Sequence, residues 1–174
     1  MTKWNVDTTH TNVGFSVRHM MVSKVRGSFG NLQGFVEGDV NELTGAKINF
    51  EIDVNSIDTK NEDRDNHLRS GDFFDVENYP NIAFESTNIV ETGKDEYDVT
   101  GHLSVKGTTK EHTFKVERTG EGVNPWGVTV VGFEGRTKIS REEFGLTWNQ
   151  TLETGGVLVG DDITIDIELQ VNPA

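Results

Sequence analysis

The chain lacks several residues and runs on which common kinds of protein site depend. It has no cysteine among its 174 residues, which excludes disulfide frameworks and thiolate metal sites. It has only three prolines against 19 glycines, a balance typical of many turns and close backbone contacts. No stretch approaches the roughly 18 consecutive apolar residues of a membrane-spanning helix. The sequence therefore predicts no integral membrane segment.

Positive charge is also scarce. Sixteen Lys and Arg residues against 29 Asp and Glu residues give a formal net charge of −13. Such a charge repels nucleic acid and anionic membrane surfaces, so we predict no nucleic-acid partner. Residues 1–5 contain no apolar stretch of the kind that a signal peptide needs. The sequence as given therefore predicts a cytoplasmic protein.

Alternation of apolar and polar residues dominates the chain. In its clearest run, Ile48, Phe50, Ile52 and Val54 share one face and the residues between them are polar. A period of two with one apolar face is the pattern of a half-buried antiparallel strand. About eight such strands predict an all-β fold, a single extended antiparallel barrel over residues 1–174. A two-sheet sandwich would use the same number of strands.

Two segments break the alternation. The first predicts a short helical segment near residues 60–70, with Asp58 and Thr59 as capping candidates and Gly71 just past its end. The second predicts a helical turn near residues 141–148. We expect the first segment to close one end of the barrel.

Charged residues within the first segment suggest how it is held. Arg64 and Leu68 are four apart and share one helical face, with Asp65 nearby. We expect Arg64 or Arg69 to form an ion pair with Asp65 or with a carboxylate at a strand end. The phenylalanine pair that follows, together with Leu68, would then cover the barrel.

Glycines fall where a packed core would place branched side chains. By alternation, Gly27, Gly34, Gly101 and Gly135 lie on inward faces of their strands. Glycine inside a strand indicates either a bend or a close approach of something to the backbone. Four together favour a hollow interior over kinking at barrel corners.

Catalytic and metal-binding signatures are weak. Of the five histidines, His19 and His112 point inward by alternation, but no HxH or HxxxH pair exists. A buried histidine bonded to a neighbouring carbonyl or hydroxyl is far commoner than a metal ligand. No serine lies in a GxSxG elbow, and no glycine-rich phosphate loop is present. We predict no catalytic residue and no metal site.

Short motifs in a fixed order resemble a known family across nearly the whole chain. They are Trp4, Asp7 and His10, Phe15-Ser16-Val17-Arg18-His19, Gly27-Ser28-Phe29, Ser56-Ile57-Asp58-Thr59, Arg64-Asp65-Asn66-His67-Leu68, Asp72-Phe73-Phe74, Tyr79-Pro80, Phe84-Glu85-Ser86-Thr87, Gly101-His102-Leu103, Arg141-Glu142-Glu143-Phe144-Gly145 and Val159-Gly160-Asp161. This order is similar to that of the YceI-like family. Members of that family have a lipocalin-like barrel and bind polyisoprenoids or similar long apolar molecules.

The resemblance implies a non-enzymatic protein that binds, transports or stores a long apolar molecule in a tunnel inside the barrel. The expected ligand is a polyisoprenoid, an isoprenoid quinone or a fatty-acid derivative, and no cofactor is required. Many relatives are expected to be periplasmic or secreted, and a homodimer is the expected assembly. The alternative is an enzyme that acts on a lipid inside the barrel, with His19 or His112 as the base.

Ligand contacts are expected on the inward faces of the strands and in the two irregular segments. The predicted contact residues are Phe15, Val17, His19, Phe29, Phe50, Ile52, Leu68, Phe73, Phe84, Leu103, Val105, Phe114, Phe133, Ile139, Phe144 and Trp148.

Overall fold

In the computed structural model, which describes residues 2–20, 22–149 and 159–174, the chain is almost entirely β-structure. Its strands are β1 (Lys3–Val6), β2 (Asn12–His19), β3 (Ser23–Phe29), β4 (Leu32–Asp39), β5 (Glu42–Asp53), β6 (Ile57–Asp58), β7 (Asn81–Gly93), β8 (Glu96–Val105), β9 (Thr108–Val123), β10 (Thr129–Ser140) and β11 (Val159–Pro173). Helix α1 spans Glu62–Arg69, and 3-10 turns span Thr8–His10, Val54–Ser56 and Glu142–Phe144.

The strands form a closed antiparallel barrel with eight strand positions, as predicted. We call each position around the ring a stave. β1 and β2 are two halves of one broken stave, and β3 and β4 are two halves of the next. β2 pairs with β3 while β1 pairs with β4, so the two broken staves lie side by side. The order then continues β5, β7, β8, β9, β10 and β11. β11 closes the ring because its first part pairs with β2 and its last part with β1.

The first stave breaks at an aspartate that caps a 3-10 turn. Asp7 accepts a hydrogen bond from the backbone N–H of Thr9 at 3.0 Å, and its carboxylate also contacts the Thr9 hydroxyl and the His10 ring. Hydrogen bonds from Thr9 and His10 lower the pKa of Asp7 to about 2. Asp7 therefore stays ionised as a cap, and the turn offsets the two halves of the stave.

The second stave breaks at Gly30. Gly30 and Asn31 leave the ladder, and their backbone N–H groups donate to the hydroxyl of Ser56 at 3.0 and 3.3 Å. Phe29 and Leu32 are both buried on the inner face, because the extra residues shift the inward–outward alternation of side chains between them.

Both predicted irregular segments are present but shorter than expected. Helix α1 lies within the predicted region, yet its cap is Asn61, whose side chain accepts from the Arg64 backbone N–H at 3.0 Å. The prediction of Asp58 or Thr59 as the cap is wrong, because Asp58 is still in strand β6. In the predicted turn near residues 141–148, only Glu142–Phe144 is helical.

The inward glycines have a different role from the one predicted. A Cβ atom at Gly101 would lie 2.2 Å from the Glu85 carbonyl oxygen, and one at Gly34 would lie 2.5 Å from the Asn49 carbonyl oxygen. At Gly27 it would lie 2.4 Å from the Phe15 ring. At Gly34 and Gly101 neighbouring strands approach closely, and at Gly27 the Phe15 ring occupies the space, so none of the three marks open space. Only Gly135, whose Cβ would have no neighbour nearer than 3.9 Å, borders an internal cavity.

Substituting Gly101 with alanine should destabilise the barrel. The added Cβ would collide with the backbone of Glu85 and Ser86, so the two strands must separate. We expect the free energy of unfolding, measured by urea titration, to fall by about 1–3 kcal/mol.

Gly14→Ala is the matched control, because its Cβ would lie an ordinary 3.8 Å from the nearest atom. We expect that variant to be neutral or more stable by up to about 1 kcal/mol. Equal losses in both variants would contradict the assignment of Gly101 as a close-contact position.

Candidate ligand-binding cavity

The barrel encloses an apolar cavity of about 220 Å³ beneath helix α1. Strands β2, β3, β5, β7, β8, β9, β10 and β11 supply its walls, and α1 with the residues that follow it covers its end. The lining is almost wholly aliphatic and aromatic, because alternation turns the apolar residues of each strand to one face. Such a cavity suits a ligand with an extended apolar part.

Most of the predicted contact residues line this cavity. They are Phe15, Val17, His19, Phe29, Phe50, Ile52, Leu68, Phe73, Leu103, Val105, Phe114, Ile139 and Trp148. The prediction combined two signals, strand parity and the apolar residues of the two irregular segments. Both kinds of residue meet here because α1 lies over the open end of the barrel.

Three predicted contact residues lie elsewhere. Phe84 and Phe133 border a second, smaller internal cavity of about 60 Å³. Phe144 lines neither internal cavity and is 1% exposed in the core, where its 3-10 turn packs against the barrel. Alternation along the strands could not distinguish these residues from those that line the larger cavity, because an inward residue can face either a cavity or another side chain.

Several lining residues were not among the predicted contacts. They are Val13, Arg18, Val25, Arg64, His67, Phe74, Ile82, Arg141, Leu146, Val159, Ile163, Ile165 and Ile167. For Ile163, Ile165 and Ile167 the signal was present, since alternation in the last strand puts them on the inner face. The sequence could not show which part of that face borders open space.

The covering of the cavity is an aromatic cluster anchored by a histidine. The His67 ring packs edge-on against Phe73 and Trp148, with centroids 5.0 and 4.7 Å apart. Its Nε2 atom lies 2.9 Å from an Asp72 carboxylate oxygen. Phe74 packs edge-on against Phe29 from the barrel wall, so the covering contacts the strands directly.

Helix α1 is held by hydrogen bonds to the backbone and not by the predicted ion pair. Arg64 donates from Nε to the Thr59 hydroxyl at 2.8 Å and from Nη2 to the Thr59 carbonyl at 2.6 Å. Arg69 donates to the carbonyls of Asn55 and Ile57 at 3.1 and 3.0 Å. Neither arginine contacts a carboxylate among the described residues. The helix therefore docks onto the chain that leads into it.

Asp65 completes this network from the buried side. It is 6% exposed, and one of its oxygens accepts from the Thr59 backbone N–H at 2.9 Å and from the Thr59 hydroxyl at 2.5 Å. The Thr59 hydroxyl therefore donates to Asp65 and accepts from Arg64, which links the two charges without direct contact.

Arg141 fastens the other irregular segment and is 2% exposed. Its guanidinium donates to the carbonyls of Gly160 at 2.8 Å, Trp148 at 3.0 Å and Val159 at 3.3 Å, and also to that of Leu146. Burial lowers the pKa of Arg141, while the charges of nearby acidic residues oppose that shift. Its N–H groups are used in hydrogen bonds to backbone carbonyls.

The two inward histidines have different surroundings. His19 lines the cavity, whereas His112 does not and instead contacts the Thr137 hydroxyl at 2.5 Å. That hydroxyl donates to the Thr113 carbonyl at 2.9 Å, so His112 must donate to it from Nε2. His112 therefore does not face this cavity, and its Nε2 proton is directed at Thr137. Within the described residues, no group of three or more potential ligands is placed to hold a metal ion.

A family model described as the YceI-like domain matches residues 4–171. The chain belongs to the YceI-like family. It is 44% identical to a UPF0312 protein of Staphylococcus epidermidis over 167 residues, which cover 95% of each chain.

Solved structures share the YceI-like barrel. BcnA of Burkholderia cenocepacia is 25% identical, with a TM-score of 0.83 over 95% of this chain and 98% of that one. A polyisoprenoid binding domain from Saccharophagus degradans is 14% identical, with a TM-score of 0.71 over the whole of both chains, and shows the fold alone. Within residues 2–20, 22–149 and 159–174, no helix is long and apolar enough to cross a membrane.

Stability of this YceI-like barrel should depend on the protonation of His112. Burial lowers the pKa of His112 from its ordinary 6.5, although the charge of Glu143 opposes the shift. Below pH 6.5 the unfolded chain therefore binds a proton that the folded chain resists. The free energy of unfolding should fall on acidification, by at most about 1.4 kcal/mol per pH unit and by less here because the ring is only half-buried.

His112→Gln keeps a donor for Thr137 and removes the titration, so its unfolding free energy should vary less with pH in this window. The same substitution at His102, on the outer face, controls for the loss of an imidazole. Urea titrations at several pH values measure both. An unchanged pH slope in His112→Gln would contradict the assignment.

Proposed function

We propose that the protein is a non-enzymatic binding protein that carries or stores a long apolar molecule inside its barrel. The observation that carries this proposal is the apolar cavity of about 220 Å³ inside the barrel. Its covering is held at both irregular segments by arginines bonded to backbone carbonyls, the half-buried Arg64 and Arg69 and the buried Arg141. A polyisoprenoid, an isoprenoid quinone or a fatty-acid derivative has the required chemistry.

Two further observations support a binding role. The name of the Saccharophagus degradans domain, which shares the fold, states that it binds polyisoprenoid. The side chain of His19, which lines the wall, makes no hydrogen bond or ion pair with the described residues, so nothing there orients it as a general base. His67 does have a carboxylate partner, but its ring is packed between Phe73 and Trp148 in the covering.

The energetics of such binding are set by the apolar chain. Burying each methylene gains about 0.8 kcal/mol, so a chain that fits the cavity gains affinity with every added carbon. Ordering of the chain and loss of its free motion offset part of this gain. Affinity should therefore rise with chain length only until the available space is filled.

Head-group preference follows from the cations near the cavity. Arg18, Arg64 and Arg141 line it, but Arg141 donates to backbone carbonyls, and Nε and Nη2 of Arg64 donate to Thr59. Lys24 and Arg26 flank Val25, which faces the cavity, so they lie on the outer face of β3. Among the cations that line the cavity, mainly Arg18 is left for a diphosphate, in a protein whose net charge is −13. Neutral head groups should bind at least as well as diphosphates.

A bulky side chain on the cavity wall should exclude the ligand. Val17→Trp places an indole in the cavity, whereas Ser16→Trp places the same group on the opposite face of β2. We expect organic-solvent extracts of purified Val17→Trp to contain at least roughly tenfold less apolar molecule, by mass spectrometry, than those of wild type or Ser16→Trp. Equal content in two folded variants would place the ligand outside this cavity.

Head-group preference can be measured with farnesol and farnesyl diphosphate, which share one chain. Each would displace an apolar fluorescent dye from the purified protein. We expect farnesol to bind as tightly as the diphosphate or more tightly. A diphosphate affinity at least roughly tenfold higher, lost at high salt, would show that cations near the cavity do bind phosphate.

A further inference from the structure

We propose that three phenylalanines form an internal wall that sets the length of the apolar chain the barrel accepts. This inference rests on the proposed function and specifies its ligand. The barrel interior is divided into an outer chamber of about 220 Å³ beneath α1 and an inner chamber of about 60 Å³ toward the opposite end. The two chambers share Phe50, Phe114 and Ile167 in their linings.

The wall is a triangle of mutually packed rings from three strands. Phe50 and Phe84 are register partners on β5 and β7, and their rings stack with centroids 5.1 Å apart. Phe114 of β9 meets Phe50 and Phe84 edge-on, at 5.8 and 5.0 Å. Edge-on and stacked contacts are favourable geometries for aromatic rings. The three side chains therefore stabilise one another across the barrel.

The three rings of the wall are almost fully buried. Phe50, Phe84 and Phe114 are 8%, 3% and 4% exposed. A chain entering the outer chamber from beneath α1 meets these rings at its far end. It can pass them only if at least one ring leaves its packed position.

The inner chamber exists partly because one residue has no side chain. Gly135 lines it, and a Cβ atom there would have ordinary contacts of 3.9 Å with Val116 and 4.0 Å with Ile167. Its φ is not in the left-handed region. A larger residue at Gly135 would therefore fill the inner chamber without touching the outer one.

The wall makes a specific prediction about chain length. Straight-chain fatty alcohols from octanol to icosanol should bind wild type with affinity rising roughly fourfold per methylene. The rise should stop once the outer chamber is full. In Phe114→Ala the chambers join, so the rise should continue over at least about two more methylenes, a gain of roughly fifteenfold. Phe114→Leu should extend it less and serves if the alanine variant does not fold.

Filling the inner chamber shows whether a longer limit comes from loss of the wall or only from a larger cavity. Gly135→Val alone should leave the wild-type chain-length limit unchanged, because the wall already ends the chain. Combined with Phe114→Ala, it should bring the limit back toward that of wild type. Phe144→Ala, which empties a buried site outside both chambers, controls for general destabilisation and should not move the limit.

Dye displacement by the alcohol series measures all of these variants. The wall is supported if the limit lengthens in Phe114→Ala or Phe114→Leu and is restored by Gly135→Val. An unchanged limit in a folded Phe114 variant, or a shorter limit in Gly135→Val alone, would overturn it while leaving the binding function intact. No binding of any alcohol by wild type would instead overturn the proposed function itself.

Discussion

Closure of the sheet by β11 is the constraint on which the rest of the structure depends. This strand pairs with β10 along one edge and with both β2 and β1 along the other. A closed sheet leaves no long unpaired edge, and it turns every inward apolar residue toward one shared interior. The cavity is a consequence of this closure, because the side chains of eight staves do not fill the space they enclose.

Closure also explains why two staves are broken. A barrel wall must bend, and the bends lie where local side chains satisfy the freed backbone groups. Asp7 caps the turn in the first stave, and Ser56 accepts from the N–H groups freed in the second. Gly34 and Gly101 answer the same need, since neighbouring strands approach too closely there for a Cβ atom.

At the open end of the barrel, arginine side chains hold the covering segments in place by donating to backbone carbonyls. Arg64, Arg69 and Arg141 together hold α1 and the 141–149 segment to the strands, and none of them contacts a carboxylate among the described residues. A guanidinium offers five donors in a fixed plane, so it can satisfy several carbonyls that strand ends leave unpaired. This arrangement leaves the cavity beneath it apolar, as a chain-binding site requires.

Much of this could be predicted from the sequence, because alternation is a local property. The period of two determined the strands, the all-β class and the inner face on which Phe50, Leu103 and Ile165 lie. The order of motifs determined the family. Neither signal depends on how distant parts of the chain meet.

Only the tertiary structure decided which inward residues border space. Phe50, Phe84, Phe114 and Phe144 all read alike as inward or buried aromatics, yet three pack into one wall and the fourth lies outside both chambers. Contacts between strands far apart in sequence create that difference, and so does the close approach that gives Gly101 its role. The sequence by itself therefore determined the barrel and its family. The shape of the interior, and with it the length of chain that could fit, required the strands to be packed together.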